Sequence, residues 1–393
     1  MIALRGHVIA CTPHRTVARL RGARLGDIVR AGEMEACVIG LDGERVVLAP
    51  CGDGRSVKPR DPVLLEEGAA NRRLGIALLG KALEGRAVAM PPAPSPSQRL
   101  PLREPLWTGI RAIDGLLSFV RGMRVGIFGP PGSGKSQLLA AIARGIDADA
   151  VVIALVGERG TEARHHVVAP DARTTVVCAP SSHSAGERLA AGDLAIAQAV
   201  ALRERGLEVA VVFDSLARYV EAAREIAQGC GESLGRGGYP PSVWPRLANL
   251  CELAGVTARG SVTLIATVLS DAGDAADPLS EAARSFLDGH VVLSRRRADR
   301  GAFPAIDVPG SLSRPMAAAV EPAHRDAAER VREALARLED SREARELGLG
   351  GGDALLGRAV AAEGELETFL RQGPEPVKIS HTLSELARIA DIL

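Results

Sequence analysis

The segment that most narrowly limits the fold of this chain is a glycine-rich stretch at residues 129–136. It has the sequence Gly-Pro-Pro-Gly-Ser-Gly-Lys-Ser and matches the pattern G-x-x-x-x-G-K-[ST]. An apolar run at residues 125–128 predicts a strand directly before it, and a helical pattern begins at Ser136. Because glycines let backbone N–H groups turn inward at the start of a helix, this placement suits a phosphate group. The stretch therefore predicts a nucleotide-binding loop inside an α/β domain.

Two side chains at the end of this loop carry the expected chemistry. Lys135 is one of only four lysines among the 48 basic residues, and its compact point charge can reach the β- and γ-phosphates of ATP. The Ser136 hydroxyl can supply an oxygen ligand for Mg²⁺. The loop thus predicts ATP and Mg²⁺ as the nucleotide and the metal ion that the chain uses.

The alternation of apolar runs with amphipathic stretches from residue 124 onward predicts the fold class. Further apolar runs lie at residues 151–156, 209–213, 262–269 and 291–294. These runs are apolar on both faces, which is typical of a parallel sheet covered by helices on both sides. We therefore expect an α/β fold built on a parallel sheet.

The segments that flank this core have different patterns. Residues 1–90 contain short β-branched runs separated by turn signals, which predict a small β-barrel or sandwich, and we expect a β-barrel domain. Residues 91–104 are rich in proline and predict an extended linker, after which we expect the nucleotide-binding domain at residues 105–320. Helical periodicity dominates residues 321–393 and predicts a C-terminal helical domain.

Charge and composition argue against several classes of protein. The 48 Lys and Arg residues balance 48 Asp and Glu residues, so bulk charge gives no basis for coating nucleic acid or anionic lipid. The six cysteines are scattered without a C-x-x-C pair, which argues against a zinc site. Residues 1–20 lack the continuous apolar region of a signal peptide or a membrane span. We therefore expect a cytoplasmic protein.

Two carboxylates follow apolar runs of the predicted sheet. Asp214 ends the run at residues 209–213, and Glu158 follows the run at residues 151–156 after one glycine. Each alone would be an ordinary turn or surface residue, but open α/β sheets bind their ligands at the carboxyl ends of strands. We therefore predict Asp214, with Ser136, as a Mg²⁺ partner and Glu158 as the group that polarises the attacking water.

Several segments together carry a resemblance to a known family. These are the phosphate-binding loop and residues 105–116, 153–159, 236–242, 277–278 and 287–295. With them the chain resembles the type III protein-export ATPases of bacterial flagella and virulence injectisomes, which are related to the catalytic β-subunit of rotary ATP synthases. The Tyr-Pro-Pro-Ser sequence at residues 239–242 is specific to the export branch. The resemblance implies a RecA-like parallel sheet as the core.

The resemblance also implies a role for individual residues. Glu158 matches the water-activating carboxylate, and Arg159 matches an arginine that approaches the γ-phosphate. Arg314 matches the arginine finger that reaches the nucleotide of the neighbouring subunit, and Phe303 matches the aromatic residue that stacks on adenine. From the sequence alone, Arg314 would be a solvated loop residue and Phe303 a core residue. The residues expected to contact ATP are Gly129, Pro130, Pro131, Gly132, Ser133, Gly134, Lys135, Ser136, Gln137 and Phe303.

For the whole protein, the resemblance implies an Mg²⁺-dependent ATPase that assembles into a homohexameric ring. Hydrolysis at the subunit interfaces would release export chaperones and unfold the exported proteins. The partners that the resemblance implies for this ATPase are stalk and stator proteins, chaperones and export substrates. The ring would work in the cytoplasm, with peripheral association to the export apparatus at the inner membrane and no nucleic acid as a partner.

Three other functions stay open at this point. A catalytic subunit of a rotary proton- or sodium-translocating ATP synthase has the same motifs, although residues 239–242 favour export. A Rho-like RNA translocase would need aromatic platforms on its barrel, but no aromatic residue precedes Trp107, and residues 1–90 carry 14 basic against 10 acidic side chains. A non-catalytic nucleotide-holding subunit would lack the catalytic carboxylate, whereas Glu158 is present.

Overall fold

The computed structural model describes residues 5–12, 15–51, 56–65, 74–158, 170–269, 277–347 and 354–393, without the side chain of Arg236. The chain forms two compact units. Unit 1 comprises Met1–Arg99, Asp149–Thr267 and Asp277–Ala282, and unit 2 comprises Leu100–Ala148, Val268–Ala276 and Ala283–Leu393.

The strands and helices of the described residues are as follows. The strands are β1 (Arg5–Thr12), β2 (Arg15–Arg19), β3 (Ile28–Ala31), β4 (Met34–Asp42), β5 (Arg45–Pro50), β6 (Pro62–Leu65), β7 (Lys81–Glu84), β8 (Arg99–Leu100), β9 (Pro105–Leu106), β10 (Phe119–Val120), β11 (Arg124–Gly129), β12 (Ala150–Val156), β13 (Thr174–Ala179), β14 (Glu208–Asp214), β15 (Gly255–Thr257), β16 (Gly260–Leu269), β17 (Gly289–Leu293) and β18 (Ile306–Ser313). The helices are α1 (Arg111–Leu116), α2 (Lys135–Gly145), α3 (Ala185–Arg203), α4 (Leu216–Gly229), α5 (Val243–Glu252), α6 (Pro278–Phe286), α7 (Arg295–Asp299), α8 (Met316–Ala319), α9 (Pro322–Asp340), α10 (Arg342–Glu346), α11 (Ala354–Ala361), α12 (Glu363–Leu370) and α13 (Ile379–Ile392).

The N-terminal part of unit 1 is a closed barrel with the strand order β1-β2-β5-β4-β3-β6. All of its strand pairs are antiparallel, and β6 closes the barrel by pairing with β1. Along β4, fully buried residues alternate with less buried ones from Met34 to Val38, as expected when one face of a strand lines a core. The barrel lies against the start of α3, where a Cβ atom on Gly186 would come within 1.3 Å of the Pro50 carbonyl oxygen. Only glycine permits so close an approach.

The rest of unit 1 contains a parallel sheet with the strand order β16-β14-β12-β13-β7. All seven residues of β12 are buried, which agrees with its continuous apolar sequence. The short strand β7 also joins this sheet, since Lys81–Glu84 pairs with β13. The carboxyl ends of β12 and β14 therefore lie side by side at one edge, with Leu155 opposite Asp214.

A buried polar network joins three helices of unit 1. The Tyr219 hydroxyl on α4 donates to Asp193 Oδ1 on α3 at 2.7 Å. Arg246 Nε on α5 donates to the Tyr219 oxygen at 3.0 Å, and Arg246 Nη2 donates to Asp193 Oδ2. Tyr219 is 1% exposed and Asp193 is 7% exposed, so each partner needs the others to satisfy its polar atoms.

Replacing Tyr219 with phenylalanine should therefore reduce the free energy of unfolding by about 1–3 kcal/mol, because it leaves buried polar atoms of Asp193 and Arg246 without their partner. Chemical denaturation of the purified protein measures this loss. Tyr239→Phe is the matched control, since Tyr239 is the second of the two tyrosines and makes no hydroxyl hydrogen bond to the described residues. An equal loss in both variants would show that the network contributes nothing specific.

Unit 2 contains the paired strands β11, β17 and β18, and the nucleotide-binding loop begins at the end of β11. Strand β17 pairs in parallel with β11 and antiparallel with β18. The turn before α1 is held by the buried Asp114 carboxyl group, which accepts hydrogen bonds from Thr108 N at 2.8 Å, Thr108 Oγ1 at 2.7 Å and Gly109 N at 2.8 Å. Burial raises the pKa of Asp114 to about 7, although these hydrogen bonds oppose the shift.

The C-terminal part of unit 2 is helical. Helix α9 packs against α13 and α11, and its buried side includes Ala327, Val331 and Ala334. Over the described stretches of the chain, every helix is too short or too polar to cross a bilayer. The α/β class, the N-terminal barrel and the C-terminal helices predicted from the sequence are thus confirmed.

Candidate active site

The glycine-rich loop of unit 2 connects β11 to α2, as predicted. Gly132 and Gly134 have φ angles of +81° and +88°, in the left-handed region that favours glycine. A Cβ atom on Gly129 would lie 2.9 Å from Ser133 Oγ and 2.9 Å from Leu293 Cβ. A side chain at these positions would strain or fill the loop, so the backbone stays open to an anion at the start of α2. This geometry fits a nucleotide phosphate.

The Lys135 side chain lies over this loop. Its Nζ atom donates to the Gly129 carbonyl oxygen at 2.8 Å and to the Pro130 carbonyl oxygen at 2.7 Å. The Ser133 hydroxyl donates to the same Pro130 oxygen at 2.8 Å. These bonds hold the ammonium group at the amino end of α2, where the partial positive charge of the helix also lies. The ammonium charge and the partial charge of the helix both favour binding of a phosphate group at this position.

Phe303 lies beside the loop. The Cε1 atom of its ring is 3.2 Å from the position that a Cβ atom on Gly134 would take, and 38% of Phe303 is exposed. The ring therefore has one side against the loop backbone and another side accessible. Sequence reasoning alone placed Phe303 in a core, and its contact with the loop comes from the turn between α7 and β18.

Glu158 lies at the predicted sheet edge of unit 1. It follows β12 by two residues and is partly buried, and its carbonyl oxygen accepts a hydrogen bond from Ser181 N at 3.1 Å. A Cβ atom on the preceding Gly157 would lie 2.7 Å from Arg218 Cβ, and Gly157 has a φ angle of +74°. The chain therefore turns tightly against α4 before it presents Glu158.

Arg218 is a charged residue of this edge that sequence reasoning missed. Its guanidinium lies 2.8 Å from Glu221 Oε2, and this hydrogen bond, together with the charges of Glu221 and Glu158, raises the pKa of Arg218. The available signal was its position, since Arg218 lies in the first turn of the helix that follows Asp214. The charge of Glu158 thus acts on the Arg218 guanidinium at this edge.

Asp214 ends β14 in unit 1 and is 7% exposed. Its Oδ1 atom accepts a hydrogen bond of 2.6 Å from Thr267 Oγ1 on β16. The buried carboxylate and the Ser136 hydroxyl, which is exposed in the first turn of α2, are hard oxygen donors of the kind that Mg²⁺ prefers. In the described residues, no group of three or more His, Cys, Asp or Glu side chains could hold a metal ion. Because Mg²⁺ takes only one or two protein oxygens and keeps several waters, Asp214 in unit 1 and Ser136 in unit 2 each fit the predicted role.

Arg314 directly follows β18 in unit 2 and is exposed. Its Nη1 atom donates to the Leu287 carbonyl oxygen at 3.1 Å, and its backbone N–H donates to the Asp288 carbonyl oxygen at 3.2 Å. Burial lowers the pKa of the nearby His290, and the charges of Arg284 and Arg314 lower it further. The environment of His290 therefore disfavours a second positive charge beside Arg314.

The structure places the predicted site residues in two groups. Unit 2 brings the loop, Lys135 and Phe303 together, and it also carries Arg314 and the exposed Gln137. Unit 1 brings Glu158 and Asp214 to one sheet edge. Arg159 lies outside the described residues.

Comparison with known proteins extends these observations. The model of the ATP synthase alpha/beta family, nucleotide-binding domain, matches residues 109–313, and that of the T3SS EscN ATPase C-terminal domain matches residues 320–388. The type 3 secretion system ATPase of Sinorhizobium fredii is 39% identical over 98% of this chain and 92% of that protein. The flagellum-specific ATP synthase of Pseudomonas aeruginosa is 37% identical over 95% of this chain and 88% of that protein.

Solved structures also match nearly the whole length of the chain. The assembled ATPase EscN from the type III secretion system of enteropathogenic E. coli superposes with a TM-score of 0.88 and 31% identity, covering 98% of this chain and 100% of that one. EscN in complex with its central stalk EscO gives a TM-score of 0.87, 31% identity and the same coverage. These matches include the barrel, the nucleotide-binding core and the C-terminal helices.

Proposed function

Because this chain belongs to the ATP synthase alpha/beta family, and within it to the type 3 secretion and flagellar export ATPases, we propose that it energises protein export by a type III secretion apparatus. The chain is an ATPase. The observation that carries nucleotide binding is the loop geometry, in which Lys135 Nζ is held 2.8 Å from the Gly129 oxygen, and the presence of Glu158 favours hydrolysis over a nucleotide-holding role. The match of residues 320–388 to an export-specific C-terminal domain favours export over a rotary ATP synthase.

The proposed chemistry assigns each residue one task. Lys135 and the loop N–H groups bind the β- and γ-phosphates, and Phe303 stacks on the adenine ring. Ser136 and Asp214 hold Mg²⁺, which neutralises charge on the phosphates when it is bound. Glu158 orients and polarises the attacking water, while Arg314 approaches the γ-phosphate of an adjacent subunit. Arg159 would act beside the γ-phosphate, as the resemblance implies.

The proposed assembly is a homohexameric ring. Glu158, Lys135 and Arg314 are all present in one chain, so identical subunits can complete every site of a closed ring without another protein. The likeness to EscN with its central stalk EscO supports a stalk protein as a partner. We propose stator proteins, chaperones and export substrates as further partners, no nucleic acid, and a cytoplasmic ring with at most peripheral contact to the inner membrane.

The proposal predicts the outcome of a complementation experiment. A deletion strain that carries the parent gene should export its type III substrates into the medium, and one that carries Lys135→Ala should not. Purified Lys135→Ala should also hydrolyse ATP about 10²- to 10³-fold more slowly, because a cationic clamp on the transferred phosphoryl group is lost. In the presence of a non-hydrolysable ATP analogue, light scattering should give a mass about six times that of the 41.0 kDa chain.

Two results would contradict this assignment. If the deletion strain exports all type III substrates but loses proton- or sodium-driven ATP synthesis, the chain is a subunit of a rotary ATP synthase. If single-stranded RNA strongly stimulates ATP turnover, the chain is an RNA translocase.

A further inference from the structure

Thr267 lies beside Asp214, the carboxylate proposed above as a magnesium ligand. The parallel strands β14 and β16 pair with Phe213 opposite Ala266, so the next residues, Asp214 and Thr267, are also neighbours. Thr267 Oγ1 donates to Asp214 Oδ1 at 2.6 Å. This separation is typical of a hydroxyl group bonded to a carboxylate. The contact thus joins the ends of two adjacent strands.

The Thr267 hydroxyl group is enclosed by protein. Thr267 is 0% exposed, and the strand residues around it include the buried Ile265, Ala266 and Val268. A hydroxyl group in such surroundings costs free energy unless it is hydrogen-bonded. A valine has the same shape and would pack there without that requirement. The polar atom at this position is therefore accounted for by its bond to Asp214 rather than by packing.

This bond controls the orientation of the Asp214 carboxylate. The terminal torsion of an aspartate side chain is broad and is poorly fixed by its own rotamer preferences. The χ1 torsion of a β-branched threonine is restricted, so the Thr267 hydroxyl approaches Oδ1 from a defined direction. Partners of this kind commonly orient the groups that bind a metal ion, and their loss costs about 10- to 100-fold in metal affinity or activity.

We propose that Thr267 is a positioning residue for the metal site, which fixes the Asp214 carboxylate through Oδ1 in the orientation that Mg²⁺ requires. This inference rests on the proposed function, since it takes Asp214 as a magnesium partner. Thr267 is fully buried, so it acts through Asp214 rather than on the nucleotide or the metal directly. Its effect is therefore expected on the metal dependence of nucleotide binding.

The test compares Thr267→Val with Thr267→Ser, Thr263→Val and Asp214→Asn in the full-length protein. Thr263 is the matched control, because it is also a buried threonine, 1% exposed, and lies four residues before Thr267 on the same face of β16. Binding of a fluorescent ADP derivative is measured with Mg²⁺ and with EDTA, and Mn²⁺ binding to the ADP complex is followed by electron paramagnetic resonance. Thr267→Val should weaken Mn²⁺ binding about 10-fold or more and leave binding in EDTA unchanged. Thr263→Val should behave like the parent, and Thr267→Ser, which keeps the hydroxyl group but not the β-branch, should lose less Mn²⁺ binding than Thr267→Val.

The outcomes separate this inference from the proposed function. If Asp214→Asn reduces the metal effect and Thr267→Val does not, the positioning role is wrong and Asp214 remains the magnesium partner. If Asp214→Asn also leaves the metal effect unchanged, the proposed role of Asp214 is wrong as well. Should Thr267→Val not fold, Thr267→Ala removes the same hydroxyl group, and its comparison with Thr267→Ser gives the same decision.

Discussion

Arg314→Ala should reduce ATP turnover by about 10³- to 10⁵-fold, which is the contribution that an arginine finger makes to phosphoryl transfer. The guanidinium neutralises charge that grows on the γ-phosphate during the reaction, so its loss should act on turnover far more than on nucleotide binding. Its exposed place directly after β18 suits a contact with another subunit. Phosphate release and binding of a fluorescent ATP analogue measure the two effects separately.

A matched variant and a mixing experiment make this prediction specific. Arg300 is also an exposed arginine of unit 2, so Arg300→Ala should retain the turnover of the parent. If Arg314 acts on a neighbouring subunit, mixed rings of Arg314→Ala and Glu158→Gln should recover part of the lost activity. Some interfaces of such rings combine an intact Glu158 site with an intact Arg314. Turnover of Arg314→Ala close to that of the parent would remove the residue from the catalytic machinery.

The sequence predicted those parts of the fold in which local pattern and burial agree. The β12 and β14 runs are continuously apolar because both faces are covered, and the loop at residues 129–136 has a fixed spacing because its glycines need special backbone angles. In these segments the residue pattern and the final fold favour the same local structure. The strands and the phosphate-binding loop were therefore predicted from the residues alone.

Other strands could not be predicted in this way. Strand β7 has the sequence Lys-Ala-Leu-Glu, which has no apolar pattern and forms a strand only because β13 pairs with it. Strand β18 contains a proline and a glycine, both of which are unfavourable in strands, and it is held by its pairing with β17. Tertiary pairing determines both strands, and no local signal reports it.

The candidate site shows the same division. Lys135 and Asp214 were predicted from motif and strand ends, whereas the contact of Phe303 with the loop and the bond from Thr267 to Asp214 depend on which segments become neighbours. Asp214 and Thr267 meet only in the observed register of β14 and β16, since a shift of one residue would move Thr267 to the other face of the sheet. The sequence pattern therefore found Lys135 and Asp214 but left out Arg218 and Thr267, whose neighbours are set by the fold.

Glu158→Gln should reduce ATP turnover by about 10²- to 10⁴-fold, the range that a positioned general base contributes. The amide keeps the size of the side chain but cannot accept the proton of the attacking water. Arg218, whose pKa is raised partly by the charge of Glu158, would also lose one of its two carboxylate neighbours. Phosphate release measures the loss, and binding of the ATP analogue should stay within a few-fold of the parent.

The control for this prediction is another carboxylate of the same sheet. Glu84 is exposed at the carboxyl end of β7, so Glu84→Gln changes charge at a strand end without touching the proposed site. Its turnover should equal that of the parent. A Glu158→Gln variant that hydrolyses ATP at the parent rate would show that another group activates the water, and the chain's ATPase chemistry would then need a different base. A variant that binds ATP but no longer hydrolyses it separates a catalytic role from the nucleotide-holding role of a non-catalytic ring subunit, because that role requires binding alone.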